Sequence, residues 1–338
     1  MNYKEIEIEA TGICNAMCPS CSRHTINPTT GKWYSRKKIL PQDNIDVGAF
    51  EKNFVNGLGK HTPELIQFQG SFSDPLTHPN LIELVALSAS IPSVKDISVY
   101  TNGSLRTPKF FKELAKYLNT GTRKLFFSVD GLREKNAIYR KGTFWGKILE
   151  NMKAFTEAGG TAMWKAVFFE QHMEDYREME KMAMRMGFHG FQVHMNRKPL
   201  SERQIIFELS NQPDDYDPEQ DTDNLPDIIG DERVTCRHLD DQYAFIGNDT
   251  SVYACCDLWG DLSESGKGTR EMAAKVTQYG TPTNSLKHFK FHEIVDNKYY
   301  KEFNHSIHDN PCSLCIKNCG DDADSLEFRS QHRTKDCG

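Results

Sequence analysis

Six short segments in the first 195 residues have the spacing and residue types of β-strands. They are KEIEIEA (4–10), ELIQFQG (64–70), KDISVYTNG (95–103), RKLFFSVDG (123–131), AMWKAVFFE (162–170) and GFQVHMN (190–196). Each is rich in β-branched or aromatic residues, with turn-forming residues at the boundaries. Between them lie stretches with helical periodicity. PNLIELVALSAS (79–90) begins on a proline suited to a first turn. TPKFFKELAKYL (107–118) sets Phe110, Phe111, Leu114 and Leu118 on one face. KILENMKAFTEAGG (147–160) and YREMEKMAMRMG (176–187) both stop on glycine, a C-cap signal, and the four methionines of the latter read as packing.

Six strand–helix alternations predict a parallel sheet. A closed eight-fold barrel takes about 250 residues, so the expected class is α/β, a partial (β/α)6 TIM-like barrel over residues 1–200. In such a fold, functional groups collect at the C-terminal ends of the strands. The texture then changes. NQPDDYDPEQDTDNLPD (211–227) is acidic and poor in apolar residues, so 201–232 reads as a linker. Residues 233–320 are expected to form a small cysteine-rich α+β domain, followed by a tail over 321–338.

Composition narrows the class. The chain has 338 residues, 38% hydrophobic and 26% charged, which suits a soluble globular protein. Its net charge of -6 gives no reason to expect nucleic acid or an anionic membrane as partner. The longest apolar runs, such as LIELVAL (81–87), fall far short of the roughly 20 residues of a membrane span. The opening MNYKEIEIEA alternates charged and apolar residues, unlike a signal peptide, so a cytoplasmic location is expected. Disulfides are rare there.

The ten cysteines are clustered. Cys14, Cys18 and Cys21 come first; Cys236, Cys255, Cys256, Cys312, Cys315, Cys319 and Cys337 follow after a long gap. Clustering in a reducing compartment favours metal ligation. The first three give C-x3-C-x2-C directly after the first strand. Three thiolates would leave one iron of a [4Fe–4S] cluster open to a small chelating molecule. A zinc site of three cysteines completed by His24 is the alternative reading of the spacing.

The order of motifs along the barrel resembles the radical S-adenosylmethionine (SAM) superfamily, over residues 5–196. Members carry C-x3-C-x-aromatic-C after the first strand, and SAM chelates the fourth iron through its amino and carboxylate groups. An electron from the cluster cleaves SAM to methionine and a 5′-deoxyadenosyl radical, which abstracts hydrogen from substrate. Four stretches carry the likeness further. QGSFSDPLTHPNL (69–81) stands where members have a Gly-Gly-Glu-Pro type motif, so the resemblance puts Gln69 and Asp74 near the ammonium of SAM. It implies that Asn102, in YTNGS (100–104), reaches the methionine or ribose part. It implies that Ser128 and Asp130, in FSVDG (127–131), accept ribose hydroxyls. Arg140, in YRKGTF (139–144), would pair with the SAM carboxylate, for which a planar fork is suited. Val193 and Met195 would pack against adenine. This chain departs from the pattern at Ser20, where most members have an aromatic residue, and at Asp74, which stands for the usual glutamate.

The later cysteines read C-x18-C-C and, after a gap, C-x2-C-x3-C. This resembles the auxiliary-cluster domains called SPASM and, in shorter form, Twitch. The hairpin-like NDTSVYAC (248–255) fits that pattern, which implies a second [4Fe–4S] cluster on Cys236, Cys255, Cys312 and Cys315. Structural zinc, and Cys256 in place of Cys255, stay open. Trp164, Lys165, Glu170, Gln171, His194 and Asn196 lie on or just after the fifth and sixth strands. A charge pointing into a barrel needs a partner or a substrate. Lys165 and Glu170 are therefore candidates for substrate binding or proton transfer, against the alternative of an ordinary ion pair at the rim.

The expected function is a radical SAM enzyme, an oxidoreductase acting on a peptide or small-molecule substrate. Its auxiliary cluster would assist oxidation or bond formation, and a flavodoxin- or ferredoxin-type protein would supply electrons. An epimerase or rearrangement enzyme with a structural auxiliary cluster, and a metal-stabilised binding protein without activity, are the alternatives.

Overall fold

A computed structural model of the protein describes residues 2–19, 21, 23–26, 33–35, 43–169, 172–194, 242–255, 284–298 and 300–302. The strands are β1 (Glu5–Ile8), β2 (His24–Ile26), β3 (Trp33–Ser35), β4 (Leu65–Phe68), β5 (Asp96–Thr101), β6 (Arg123–Ser128), β7 (Ala162–Val167), β8 (Gly190–His194), β9 (Tyr243–Ile246) and β10 (Val252–Tyr253). Eight form one open sheet in the order β10-β9-β1-β4-β5-β6-β7-β8. From β9 to β8 all pairings are parallel, and β10 is antiparallel to β9. The six strands expected from the sequence are β1 and β4 to β8, side by side in chain order. The fold is thus the α/β, partially wound barrel expected, with the sheet not closed.

Helices fill the connections: α1 (Val47–Ala49), α2 (Leu81–Ser90), α3 (Pro108–Ala115), α4 (Glu134–Tyr139), α5 (Trp145–Glu157), α6 (Met173–Arg185) and α7 (Phe291–Val295). Helix α3 starts on Pro108, whose missing N–H costs nothing in a first turn. Helices α5 and α6 are followed by Gly159 and Gly187, both with positive φ, as the sequence pattern predicted. Among the described residues no helix is long and apolar enough to cross a membrane.

Strand alternation separates two faces. On one, Ile6, Ile8, Ile66, Phe68, Ile97, Val99, Leu125, Phe127, Trp164 and Ala166 are fully buried in a core shared with Leu84, Phe111, Leu114, Ile148, Phe155 and Met179 from the helices. Each such large side chain contributes about 1.5–3 kcal/mol relative to exposure. The other face alternates with it and is largely polar: Glu5 and Glu7, Gln67, Ser98, Ser128, Lys165 and Gln192. Trp164 therefore belongs to the helix side, where its indole N–H donates to the Val129 carbonyl at 3.0 Å. Lys165 lies on the polar face, its Nζ 5.2 Å from the centre of the Tyr100 ring.

Two features lie outside the six-strand reading. A β2–β3 antiparallel pair follows the first cysteines, with Thr25 opposite Tyr34. The segment around NDTSVYAC makes the β9–β10 hairpin, and β9 extends the sheet beyond β1, with Glu7 opposite Phe245.

Candidate functional site

The loop after β1 carries Cys14, Cys18 and Cys21. Little of it is held by its own apolar residues: Ile13 and Met17 are exposed. The loop is instead fixed by neighbouring strand ends. The Asp74 N–H donates to the Ile13 carbonyl at 3.0 Å, and the Thr77 hydroxyl to the same oxygen at 2.9 Å. The Asn15 amide donates to the Ser104 hydroxyl at 2.9 Å and accepts from the Asn102 amide at 2.8 Å. The Met17 N–H donates to the Lys141 carbonyl at 2.9 Å. Gly142 has φ +84°, and a Cβ there would stand 2.6 Å from the Asn15 carbonyl oxygen, so the two loops meet at a distance only glycine allows. The segments after β4, β5 and β6 thus all close on the cysteine loop.

The three thiols belong to one packed cluster with Ala16, Tyr139, Val167 and Phe169. Burial pushes the Cys14 thiol up to about 12 and raises Cys18 and Cys21 as well. Two guanidinium groups work in the opposite sense: Arg23 acts on Cys14 and Cys21, and Arg140 on Cys18 and Cys21. Arg23 is only 2% exposed, and its Nη1 donates to the carbonyls of Gly12 (2.7 Å) and Phe72. Its Nη2 is buried and has no hydrogen-bond partner among the described residues.

This donor set fits an iron–sulfur cluster. Thiolates buried beside fixed cations suit an anionic group whose metal displaces the thiol protons. Among the described residues no three His, Cys, Asp or Glu side chains converge as ligands of a single metal ion. The thiolates of a four-iron cluster bind separate irons and need only surround it.

The other residues singled out in the sequence fall as follows. Asp74 is 3% exposed and its carboxylate is fully engaged. It accepts from the Leu76 N–H (3.0 Å), the Asn102 N–H (2.8 Å) and the Thr101 hydroxyl (3.0 Å to each oxygen). Burial raises its pKa, and these bonds pull it back. Asn102 accepts from the Ser104 N–H and hydroxyl at 3.0 and 2.7 Å. Asp130 is wholly buried, 2.6 Å from Arg140 Nε, and accepts from the Val167 N–H at 2.8 Å. The residues expected to meet the ribose and the carboxylate of SAM are therefore paired with each other. Ser128 closes β6 and stands opposite Lys165. The Gln69 side-chain amide faces both oxygens of Glu7, and with its nitrogen turned toward them it would donate at 2.8 and 3.0 Å. Val193 is 39% exposed on β8. Cys255 follows β10 and packs with Phe72, Tyr243, Phe245 and Tyr253. Glu170, Met195, Cys236, Cys312 and Cys315 lie outside the described residues.

The sequence reading did not single out Arg23, Asn15, Gly142 or Glu9. Glu9 is wholly buried at the end of β1, and burial pushes its carboxyl up to about 8. Its signal in the sequence was the third charge of the alternating run EIEIE, read there only as strand pattern. Gly142 stands inside YRKGTF and Asn15 between two of the cysteines, and neither carries a signal of its own.

Comparison with known proteins agrees with the geometry. Residues 8–183 match the family model of the Radical SAM superfamily. Streptococcus suis SuiB has a similar structure, at a TM-score of 0.54 and 14% identity, covering 88% of this chain and 67% of that one. SuiB bound to its precursor peptide SuiA gives 0.54 and 13%, over 89% of this chain and 66% of that one. This chain therefore spans about two thirds of SuiB. Native anSMEcpe with bound AdoMet and a peptide gives 0.51 and 15%, over 93% of this chain and 88% of that one.

Proposed function

The chain belongs to the radical SAM superfamily, and from that premise we propose an enzyme that cleaves SAM reductively and takes a hydrogen from a peptide or small polar substrate. The observation that carries the reading is the convergence of three strand-end segments on one loop with three thiols. A [4Fe–4S] cluster held by Cys14, Cys18 and Cys21 would supply the electron for cleavage. The protein's own residues shape the rest. Because the Asp74 carboxylate is filled by Leu76, Thr101 and Asn102, it rigidifies its turn, and the turn's backbone carbonyls are the acceptors for the SAM ammonium. Arg140 uses Nε on Asp130 and keeps its outer N–H groups for a carboxylate. Ser128 and Lys165, adjacent on the polar face, orient ribose and substrate, with Glu170 a second candidate for proton transfer. Val193 and Met195 flank the adenine.

Two further assignments belong to the same proposal. Cys236, Cys255, Cys312 and Cys315 hold a second [4Fe–4S] cluster in a Twitch-like unit over 233–320, and its role is to accept the substrate electron, making the enzyme an oxidoreductase. Support comes from Cys255, which leaves the β9–β10 hairpin beside Phe72, close to the 69–75 turn. A peptide is favoured as substrate because two structures of similar fold hold one. A flavodoxin- or ferredoxin-type cytoplasmic protein is the proposed reductant.

The experiment is anaerobic reconstitution with iron and sulfide, then SAM and dithionite. The expected products are methionine and 5′-deoxyadenosine, lost in Cys14→Ala. If neither product forms, the proposal fails. Cys312→Ala with Cys315→Ala should retain SAM cleavage and lose substrate oxidation; retained oxidation would refute the electron-acceptor role.

A further inference from the structure

Arg23 presents a buried cation that meets no carboxylate among the described residues. Its Nη1 bridges two backbone carbonyls, Gly12 ahead of Cys14 and Phe72 in the turn after β4. Because guanidinium is planar and rigid, this bridge also fixes Nη2. That nitrogen is buried and unpartnered, which is uncommon for a polar group and costly for a charged one. Arg140, the other guanidinium beside the thiol cluster, is paired with Asp130. Among the described residues Arg23 has no such partner, and it stands two positions after Cys21, with its side chain returning to Gly12 on the other flank of the cysteine loop.

Resting on the cluster reading given above, we infer that Arg23 is a positioning residue for the anionic group bound by Cys14, Cys18 and Cys21. Its Nη2 faces that group, and its fixed charge stabilises the reduced, more negative form. Net charge and hydrogen bonding around the sulfurs are what set the potential of such a centre. A group that merely stapled Gly12 to Phe72 would affect folding and leave the potential alone.

The test is an EPR-monitored redox titration of the reconstituted full chain, alongside iron content, for the parent, Arg23→Gln and Arg23→Lys. Glutamine keeps donors and removes the charge. At a fixed low poise its ratio of reduced to oxidised cluster should fall about tenfold, equivalent to about 59 mV for a one-electron couple. Lysine keeps the charge and should stay within about threefold of the parent, about half that shift. Full iron with an unchanged potential in Arg23→Gln would overturn the inference. If Arg23→Gln holds too little iron to titrate, Arg23→Lys decides: retained iron at a near-parental potential supports the charge role, and iron lost there too overturns it in favour of a structural staple. A parent that assembles no [4Fe–4S] signal removes the cluster reading and this inference together, whereas a normal parent with an unshifted Arg23→Gln removes the inference alone.

Discussion

Glu9 should make the protein lose stability as pH rises through neutrality. The carboxyl is wholly buried, accepts from the Phe72 N–H at 3.3 Å to each oxygen, and shares its strand face with Glu7. Burial is the main force raising it from 4.5 to about 8; repulsion from Glu7 adds, and hydrogen bonds from Ser73, Phe72 and Ser71 partly offset both. Between these values the folded protein holds a proton that the unfolded chain has released. Stability therefore falls with rising pH across that window, by about 1.36 kcal/mol per pH unit, and levels off above about pH 8. Glu9→Gln keeps the shape and abolishes the titration. Urea denaturation of the metal-free, reduced full chain should show the variant gaining on the parent by about 2–3 kcal/mol between about pH 5.5 and about pH 7.5. All other titrations are common to both proteins and cancel in the difference. A gap that stays flat over this range would mean that Glu9 is ionised in the fold, and the reasoning from burial would be wrong.

Gly142→Ala forces a side chain into a left-handed backbone and against the Asn15 carbonyl; a loss of about 1–3 kcal/mol and lower iron uptake are expected, and a parental melting curve with full iron content would contradict the tight approach of the two loops. Asp130→Asn or Arg140→Met alone leaves a buried charge unpaired and should cost about 3–5 kcal/mol, while the double variant should cost less than the sum of the two, as measured by denaturation; additive losses would show that the pair does not interact.

The strand pattern was legible because alternation is local. Ile6, Ile8, Ile97, Val99, Leu125 and Phe127 mark their buried face within a few residues, and the glycines after α5 and α6 mark the helix ends in the same way. The ligand types of the first site were legible for the same reason, since Cys14, Cys18 and Cys21 lie on one loop. What the sequence hides is pairing at a distance. Asp130 and Arg140 each looked like a group free to meet SAM, and only the fold sets them 2.6 Å apart. Asn15 reads as a spacer between cysteines until Asn102 and Ser104, nearly ninety positions on, are seen to hold it. Arg23 has no local mark at all, because its meaning lies in two carbonyls from different segments and in a nitrogen left without a partner.

That distinction bears on how the thiols come to be placed. The cysteine loop exposes Ile13 and Met17 and has little apolar burial with which to fix its own course. Its conformation is imposed by Asp74 and Thr77 on Ile13, by Asn102 and Ser104 on Asn15, and by Lys141 on Met17. Each clamp comes from a different strand end, and those ends are in register because β1, β4, β5 and β6 are consecutive in one parallel sheet. The spacing C-x3-C-x2-C therefore specifies which atoms can bind metal, while the sheet specifies where they stand. The same clamps carry the segments proposed to hold SAM, so displacing one of them moves thiols and SAM site together. A peptide copy of residues 10–24 would keep the ligand types and lose the geometry, because the clamps from Asp74, Thr77, Asn102, Ser104 and Lys141 all lie after other strands.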